Sequence, residues 1–157
     1  MKRVLFVCTG NIFRSLTAER GLRHALGKRV DIQVSSAGTV DYPHVVAPNV
    51  REYLLSKGFD VSSHQRRTLT EAILRESHLV IAMSLDHREY LRSRFAHSAP
   101  LFLEACGEPG DALPDIEEAV LDYLTNRAAV EAHVRATIDR ILSLTPRLAV
   151  RLDTLLQ

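Results

Sequence analysis

Cys8 and Arg14 are separated by five residues in Cys8-Thr9-Gly10-Asn11-Ile12-Phe13-Arg14-Ser15. That spacing lets a thiol and a guanidinium face one anion held inside a loop. Backbone N–H groups point inward in such a loop, and a helix opening at its end adds positive partial charge. Gly10 allows a conformation or a close approach that a side chain would block. Arg14 offers a planar fork that matches two phosphoryl oxygens. The same positive groups favour the thiolate of Cys8, which is the nucleophilic form. Ser15 can donate a hydrogen bond to the sulfur and help it leave in a second step. Asn11 can bond nearby backbone and hold the loop in shape. A Cys-x5-Arg pair alone is a weak signal, because seventeen of the twenty basic residues are arginine. The competing reading makes Cys8 a small buried hydrophobe and Arg14 a solvated helix residue. The flanking elements decide between the two.

Val4-Leu5-Phe6-Val7 precedes the loop as a continuous apolar run, the pattern of a strand buried on both faces. Beyond the loop, Ala18, Leu22, Ala25 and Leu26 share a helical face, and Gly27 offers a stop. Val30 to Val34 alternates as a second strand and runs into Ser35-Ser36-Ala37-Gly38-Thr39, a loop by composition. Asn49 with Glu52 has N-cap spacing before a helix that Gly58 ends. Thr68-Leu69-Thr70-Glu71 is a capping box before another helix. Leu79 to Met83 is a third buried strand, Asp86 to Arg94 a polar helix, and Leu101-Phe102-Leu103 a short fourth strand. Glu108 to Asp115 is loop. The last helix carries Val130, Val134, Ile138 and Ile141 on one face, and Pro146 marks its end. This rhythm predicts an α/β fold: a flavodoxin-like doubly wound sheet of four parallel strands with helices on both faces, one domain over residues 1–157. Such sheets bind ligands outside the carboxyl ends of their strands, so the Cys8 loop is the expected site.

Composition sets outer bounds. A chain of 157 residues with 46% hydrophobic content can bury a core without staples. Two cysteines make no disulfide framework, which points to a reducing cytoplasm. A net charge of +1 argues against coating nucleic acid or an anionic membrane. The apolar stretch after Met1-Lys2-Arg3 is too short for a signal peptide, and no run approaches a membrane span. The seven histidines show no zinc spacing, and no Walker lysine or Gly-x-Gly-x-x-Gly appears. No metal or cofactor is expected. Arg66-Arg67, and Arg88 with Arg92, read as solvated faces or a basic rim.

Val7 to Ser15 followed by Thr17-Ala18-Glu19 resembles the signature of the low-molecular-weight protein tyrosine phosphatases. Ser35 to Thr39, Ser63-His64-Gln65-Arg66-Arg67 and Leu79 to Met83 resemble later segments of that family, in the same order. The resemblance runs from Lys2 to about Asp115 and implies a mechanism. Cys8 attacks phosphorus in line and forms a phosphocysteine. Arg14 and the loop N–H groups stabilise the equatorial oxygens, with Thr9, Gly10, Asn11, Ile12 and Phe13 as the binding surface. An aspartate in a late loop protonates the leaving group and then activates water. Pro114-Asp115 lies where that loop should be, with Asp111 and Asp122 as rivals and helix capping as the other use for Asp115. Ser36 and His64 match positions that brace the loop, and Tyr42 a position beside the substrate ring.

The sequence also departs from the family pattern. Phe13 stands where many members carry a second cysteine, so disulfide protection of Cys8 is not expected. Leu16 replaces a proline, and Ile116-Glu117-Glu118 replaces the Pro-Tyr region that holds the usual tyrosine phosphorylation sites. The segment Val40 to Pro48 is short. Ile12 stands where relatives acting on phosphoarginine carry threonine, and an isoleucine suits an aryl wall. The expected activity is therefore hydrolysis of phosphotyrosine in proteins, by a monomer or weak dimer that binds phosphate or another oxyanion in the loop. Protein arginine phosphatase is the nearest alternative. Arsenate reduction needs further cysteines for a relay, and only Cys106 is present. A weakly active phosphate-binding module is the reading from outside the enzymes, encouraged by the altered segment after Asp115.

Overall fold

The computed structural model describes residues 1–41, 43–110 and 113–157. Three parallel strands form its sheet: β1 (Lys2–Cys8), β2 (Ile32–Gly38) and β3 (Leu79–Ala82), in the order β2-β1-β3. β1 is central. It pairs with β2 from Lys2↔Ile32 to Cys8↔Gly38, and with β3 from Val4↔Leu79 to Val7↔Ala82. The chain moves to one side of β1 and then to the other, so its carboxyl end is the switch point where such sheets open a crevice.

The helices are α1 (Arg14–Leu26), α2 (Pro48–Ser56), α3 (Glu71–Glu76), α4 (Leu85–Phe95), α5 (Phe102–Ala105), α6 (Ile116–Ala119) and α7 (Arg127–Leu155). Alternation along β1 divides the core. Val4, Phe6 and Cys8 face Ala18 and Leu22 of α1 and Ile141, Leu148 and Leu152 of α7. Leu5 and Val7 face Leu74 of α3 and Leu91 of α4. Helices therefore cover both faces, and β1 is apolar from Val4 to Cys8 because that stretch has no solvent side. A third cluster, with Phe13, Leu16, Val50, Leu54, Val134 and Ile138, packs α2 against α7 beside the Cys8 loop. Among the described residues no helix is long and apolar enough to cross a membrane.

The expected fourth strand is reduced to one parallel bridge, Ala82↔Leu101. From Phe102 the chain coils into α5, because the Glu104 carboxylate reaches back to the Leu101 N–H at 2.9 Å and Arg88 holds that carboxylate at 2.9 Å. Phe102 and Leu103 are buried all the same. A short apolar run specifies burial, and here the cap selects the turn of helix.

β2 is also displaced from its expected span. Val30 is 84% exposed, and the strand runs on through Ser35-Ser36-Ala37-Gly38. Ser36 there is buried and hydrogen-bonded rather than solvated, which composition does not reveal. α3 starts two residues later than its sequence signal, with Thr70 rather than Thr68 as the cap, accepting from the Ile73 N–H. α2 starts at Pro48 with Ala47 ahead of it, so Asn49 lies in the first turn. Proline loses nothing at that position because its missing N–H would have no helical partner.

Pro146 does not end α7 but lies inside it. Interior proline costs about 3 kcal/mol. The Thr145 hydroxyl donates to the Leu142 carbonyl, the one deprived of its N–H, at 3.1 Å. Beyond the proline, Leu148 and Leu152 are fully buried. Two such burials contribute about 3–6 kcal/mol, enough to carry the helix through.

Candidate active site

β1 delivers Cys8 to the switch point, and α1 begins at Arg14, so residues 9–13 must turn within one short loop. Each carbonyl on the loop's outer side has a donor. Cys8 O accepts from the Thr39 N–H at 2.9 Å and Thr9 O from the Val40 N–H at 3.1 Å. Gly10 O accepts from Arg66 Nε at 3.0 Å. Asn11 O accepts from His64 Nε2 at 2.8 Å, so that ring nitrogen carries a proton. Among the described residues, no N–H from Thr9 to Phe13 is spent on a backbone carbonyl. The loop thus turns its donors towards its own centre. Asn11 takes the left-handed backbone (φ 58°) that closes the turn. Gly38 makes the neighbouring strand fit: a Cβ there would lie 2.5 Å from Thr9 O.

Asn11 is buried and serves the loop from within. Its amide donates to Ser36 Oγ at 2.7 Å and to Ser15 Oγ at 3.0 Å, and its Oδ1 accepts from the Arg67 N–H at 3.1 Å. The Ser36 hydroxyl donates in turn to the Glu19 carboxylate. Ser15 Oγ lies 2.9 Å from Cys8 Sγ. With one Ser15 lone pair taken by Asn11, its own hydrogen is free to point at the sulfur, as a thiolate would require. Two arms of hydrogen bonds thus diverge from the Asn11 amide, one through Ser15 to Cys8 and the other through Ser36 to Glu19. Burial pulls His64 below the ordinary histidine pKa, which keeps its ring neutral for the bond to Asn11.

Arg14 is 2% exposed. Its guanidinium donates to Leu113 O at 2.9 Å and to Ser84 Oγ at 3.3 Å, and lies 3.4 Å from Thr9 Oγ1. Asp115 Oδ2 stands 3.3 Å away. These partners offset the cost of burying a charge. Asp115 also caps α6, accepting from the Ile116 N–H at 2.8 Å. The capping use expected of that residue therefore occurs, and the same residue lines the cavity described next.

A cavity of about 360 Å³ opens over the loop. Cys8, Thr9, Gly10 and Arg14 form its floor, Ile12, Phe13, Ala47, Val50 and Ile116 an apolar wall, and His44, Asp115 and Glu117 complete the lining. Ile12 and Phe13 sit as expected of binding residues. Asn11 is absent from the lining, because its side chain faces the protein interior. Asp122 is absent too and instead holds Asn126 at 3.1 Å. Tyr42 and Asp111 lie outside the described residues. Arg66 is half-buried and Arg67 exposed, and both also prop the loop, Arg67 Nε bonding Ser36 O at 2.9 Å. Sequence reasoning missed Gly38, Ser84 and His87 as site residues. His87 is 1% exposed and lies 2.9 Å from Thr9 Oγ1, and nothing in its local pattern separates it from a surface histidine of α4. Among the described residues no cluster of His, Cys, Asp or Glu is placed to hold a metal ion. Cys106 is buried, and burial pushes its thiol up to about 12.

Comparisons with known proteins agree with this geometry. The family model described as low molecular weight phosphotyrosine protein phosphatase matches residues 3–104. The protein-arginine-phosphatase of Bacillus subtilis is 30% identical over 139 residues, covering 84% of this chain and 91% of that protein. An arsenate reductase of Staphylococcus xylosus is 36% identical over 85 residues, covering 54% of this chain and 62% of that protein. The solved low molecular weight protein tyrosine phosphatase of T. tengcongensis is 28% identical, with a TM-score of 0.74 over 94% of this chain and 97% of that one. With the family model matched over residues 3–104, the chain belongs to the low molecular weight phosphotyrosine protein phosphatase family.

Proposed function

We propose that the protein hydrolyses phosphotyrosine in proteins, and small aryl phosphates, through a phosphocysteine on Cys8. The observation that carries this reading is the cavity itself: a thiol under inward-turned amides and Arg14, flanked by an apolar wall of Ile12, Phe13, Val50 and Ile116. An aryl ring gains from that wall, while its phosphoryl group meets the loop. Cys8 sulfur attacks phosphorus in line as the P–O bond to the leaving group breaks, and Asp115 protonates the departing oxygen. Arg14 leaves Asp115 for the phosphoryl oxygens and, with the loop amides, holds the charge that spreads over them. Water then attacks phosphorus and gives its proton to Asp115. The thiolate leaves with the Ser15 hydroxyl bonded to it, and inorganic phosphate departs. A reducing compartment keeps both thiols free for this cycle.

Phosphoarginine is the second reading. The arginine phosphatase match extends over most of both chains, and the Asp115 and Glu117 carboxylates on the lining could receive a guanidinium. Arsenate reduction is disfavoured because its relay would fall to Cys106, a buried thiol held protonated. Matched phosphotyrosine and phosphoarginine peptides, with Cys8→Ser as the control, test the assignment. Faster turnover of phosphotyrosine is expected, and Cys8→Ser should lose at least about a thousandfold in kcat. Equal slowness of wild type and Cys8→Ser would leave only a binding module, and a reversed preference would transfer the assignment to phosphoarginine.

A further inference from the structure

Thr9 Oγ1 lies between two donors. His87 Nε2 is 2.9 Å away and Arg14 Nη2 is 3.4 Å away. The hydrogen positions follow from the groups behind them. The Ser84 N–H donates to His87 Nδ1 at 3.1 Å, so Nδ1 presents a lone pair. The Ser84 hydroxyl does not compete for that lone pair, since it donates to the Asp86 carboxylate. In a neutral ring the proton must then sit on Nε2, which donates to Thr9. The ring is kept neutral chiefly by burial, with the Arg14 charge adding to it. Together they push His87 down to about 4 against the opposing pull of Asp86 and Asp115. With both lone pairs of Thr9 Oγ1 engaged, only its own hydrogen remains to be placed, and Thr9 lines the cavity next to Cys8.

We propose that His87 is a positioning residue that makes the Thr9 hydroxyl a one-way donor to the phosphoryl group. The proposal rests on the reading that the loop binds a phosphoryl group. Thr9 adds a side-chain hydrogen bond to those of the amides and Arg14, already aimed before the anion arrives. The opposite tautomer, with Nδ1 protonated, would draw the Thr9 hydrogen towards Nε2 and away from the anion. The arrangement mirrors the chain through Asn11 and Ser15: one directed path ends on the sulfur, the other on the phosphoryl oxygens.

Nitrogen-15 NMR of the imidazole rings in the wild-type protein reads the tautomer directly. A bare Nδ1 and a protonated Nε2 on His87 are expected, and the reverse overturns the proposal whether or not any ester is turned over. Titration with inorganic phosphate gives the second measurement. Thr9→Val should bind phosphate about tenfold more weakly, the effect of losing a hydrogen bond to a charged group. His87→Leu should lose a similar factor, and the double variant no more than either alone. His87→Gln, whose amide can replace the Nε2 donor, should recover most of the loss. Additive losses in the double variant, or unchanged phosphate affinity in Thr9→Val, would refute the coupling. Thr9→Val and the tautomer remain decisive if His87→Leu does not fold. Failure of the wild type to hydrolyse phosphate esters while these results hold would count against the proposed reaction alone.

Discussion

Two segments meet at the cavity and are held very differently. The Cys8 loop is tied from outside by Thr39, Val40, His64 and Arg66, and from inside by Asn11 bonded to the Arg67 N–H. The segment that brings Asp115 has few such ties. α6 buries none of its residues, and Leu121 and Leu124 beyond it are 90% and 83% exposed. Among the described residues its anchors include the Leu113 carbonyl on Arg14, at 2.9 Å, the Pro114 carbonyl on His133, at 3.0 Å, and the buried side chains of Leu113 and Val120. The contrast suits the two tasks. Donors that stabilise a phosphoryl group gain most when they need not reorganise. An acid must reach leaving groups of different shape, and a lightly held segment adjusts at lower cost. Asp115 and Arg14 share an ion pair across the boundary, so in the proposed reaction a phosphoryl group that takes Arg14 also frees the Asp115 carboxyl.

The comparison can be broken most forcefully at Asp115. Asp115→Asn should slow hydrolysis of esters with poor leaving groups by about a hundredfold or more, and barely affect activated ones. Its stability should change by less than about 1 kcal/mol, because asparagine still caps α6 and little else depends on the segment. Phosphate should bind the variant at least as well as wild type, since Arg14 no longer has a competing carboxylate. A uniform small kinetic effect, measured across a leaving-group series, would take the acid role from Asp115.

Gly38→Ala tests the other side. A methyl group 2.5 Å from Thr9 O must push the loop or β2 aside. A loss of about 1–3 kcal/mol in urea unfolding is expected, together with weaker phosphate binding. Normal stability with full phosphate affinity would show that the loop is less firmly held than its hydrogen bonds imply.

The smallest effect is a slope. His87, at about 4, and His64, also lowered by burial, stay neutral in the fold, whereas unfolded histidines titrate near 6.5. The unfolded chain therefore binds more protons in this window, so stability is complete above about pH 6.5 and declines as pH falls towards 4. His87→Gln should flatten part of that decline in urea titrations at several pH values. An unchanged slope would mean that the ring is not held neutral.

Much of this was legible in the residues. Cys8, Arg14 and Ser15 announce an anion loop because their spacing is local and a loop has few ways to satisfy it. The strand before it and the helix after it follow from apolar periodicity. Two of the misplaced elements share one cause. Local composition makes Leu101 to Leu103 a strand and Ser35 to Gly38 a loop, but a capping carboxylate coils the first and pairing with β1 extends the second. Pro146 reads as a stop because local cost is visible in sequence and the burial of Leu148 and Leu152 is not.

By itself the sequence determined the chemistry: a thiol, an arginine and a short glycine-containing turn at fixed spacing, at the mouth of a parallel sheet. Only the tertiary structure decided which groups make that turn rigid. Gly38, His64, Arg66, Arg67 and His87 come from distant parts of the chain, and each acts through a contact that no local pattern encodes. It also showed that Asn11 braces the loop from within rather than lining the cavity, because the amide's partners, Ser15, Ser36 and the Arg67 backbone, lie on the interior side. Hydrogen-bond direction is a property of the assembled network, and folding alone brings its members within reach of one another.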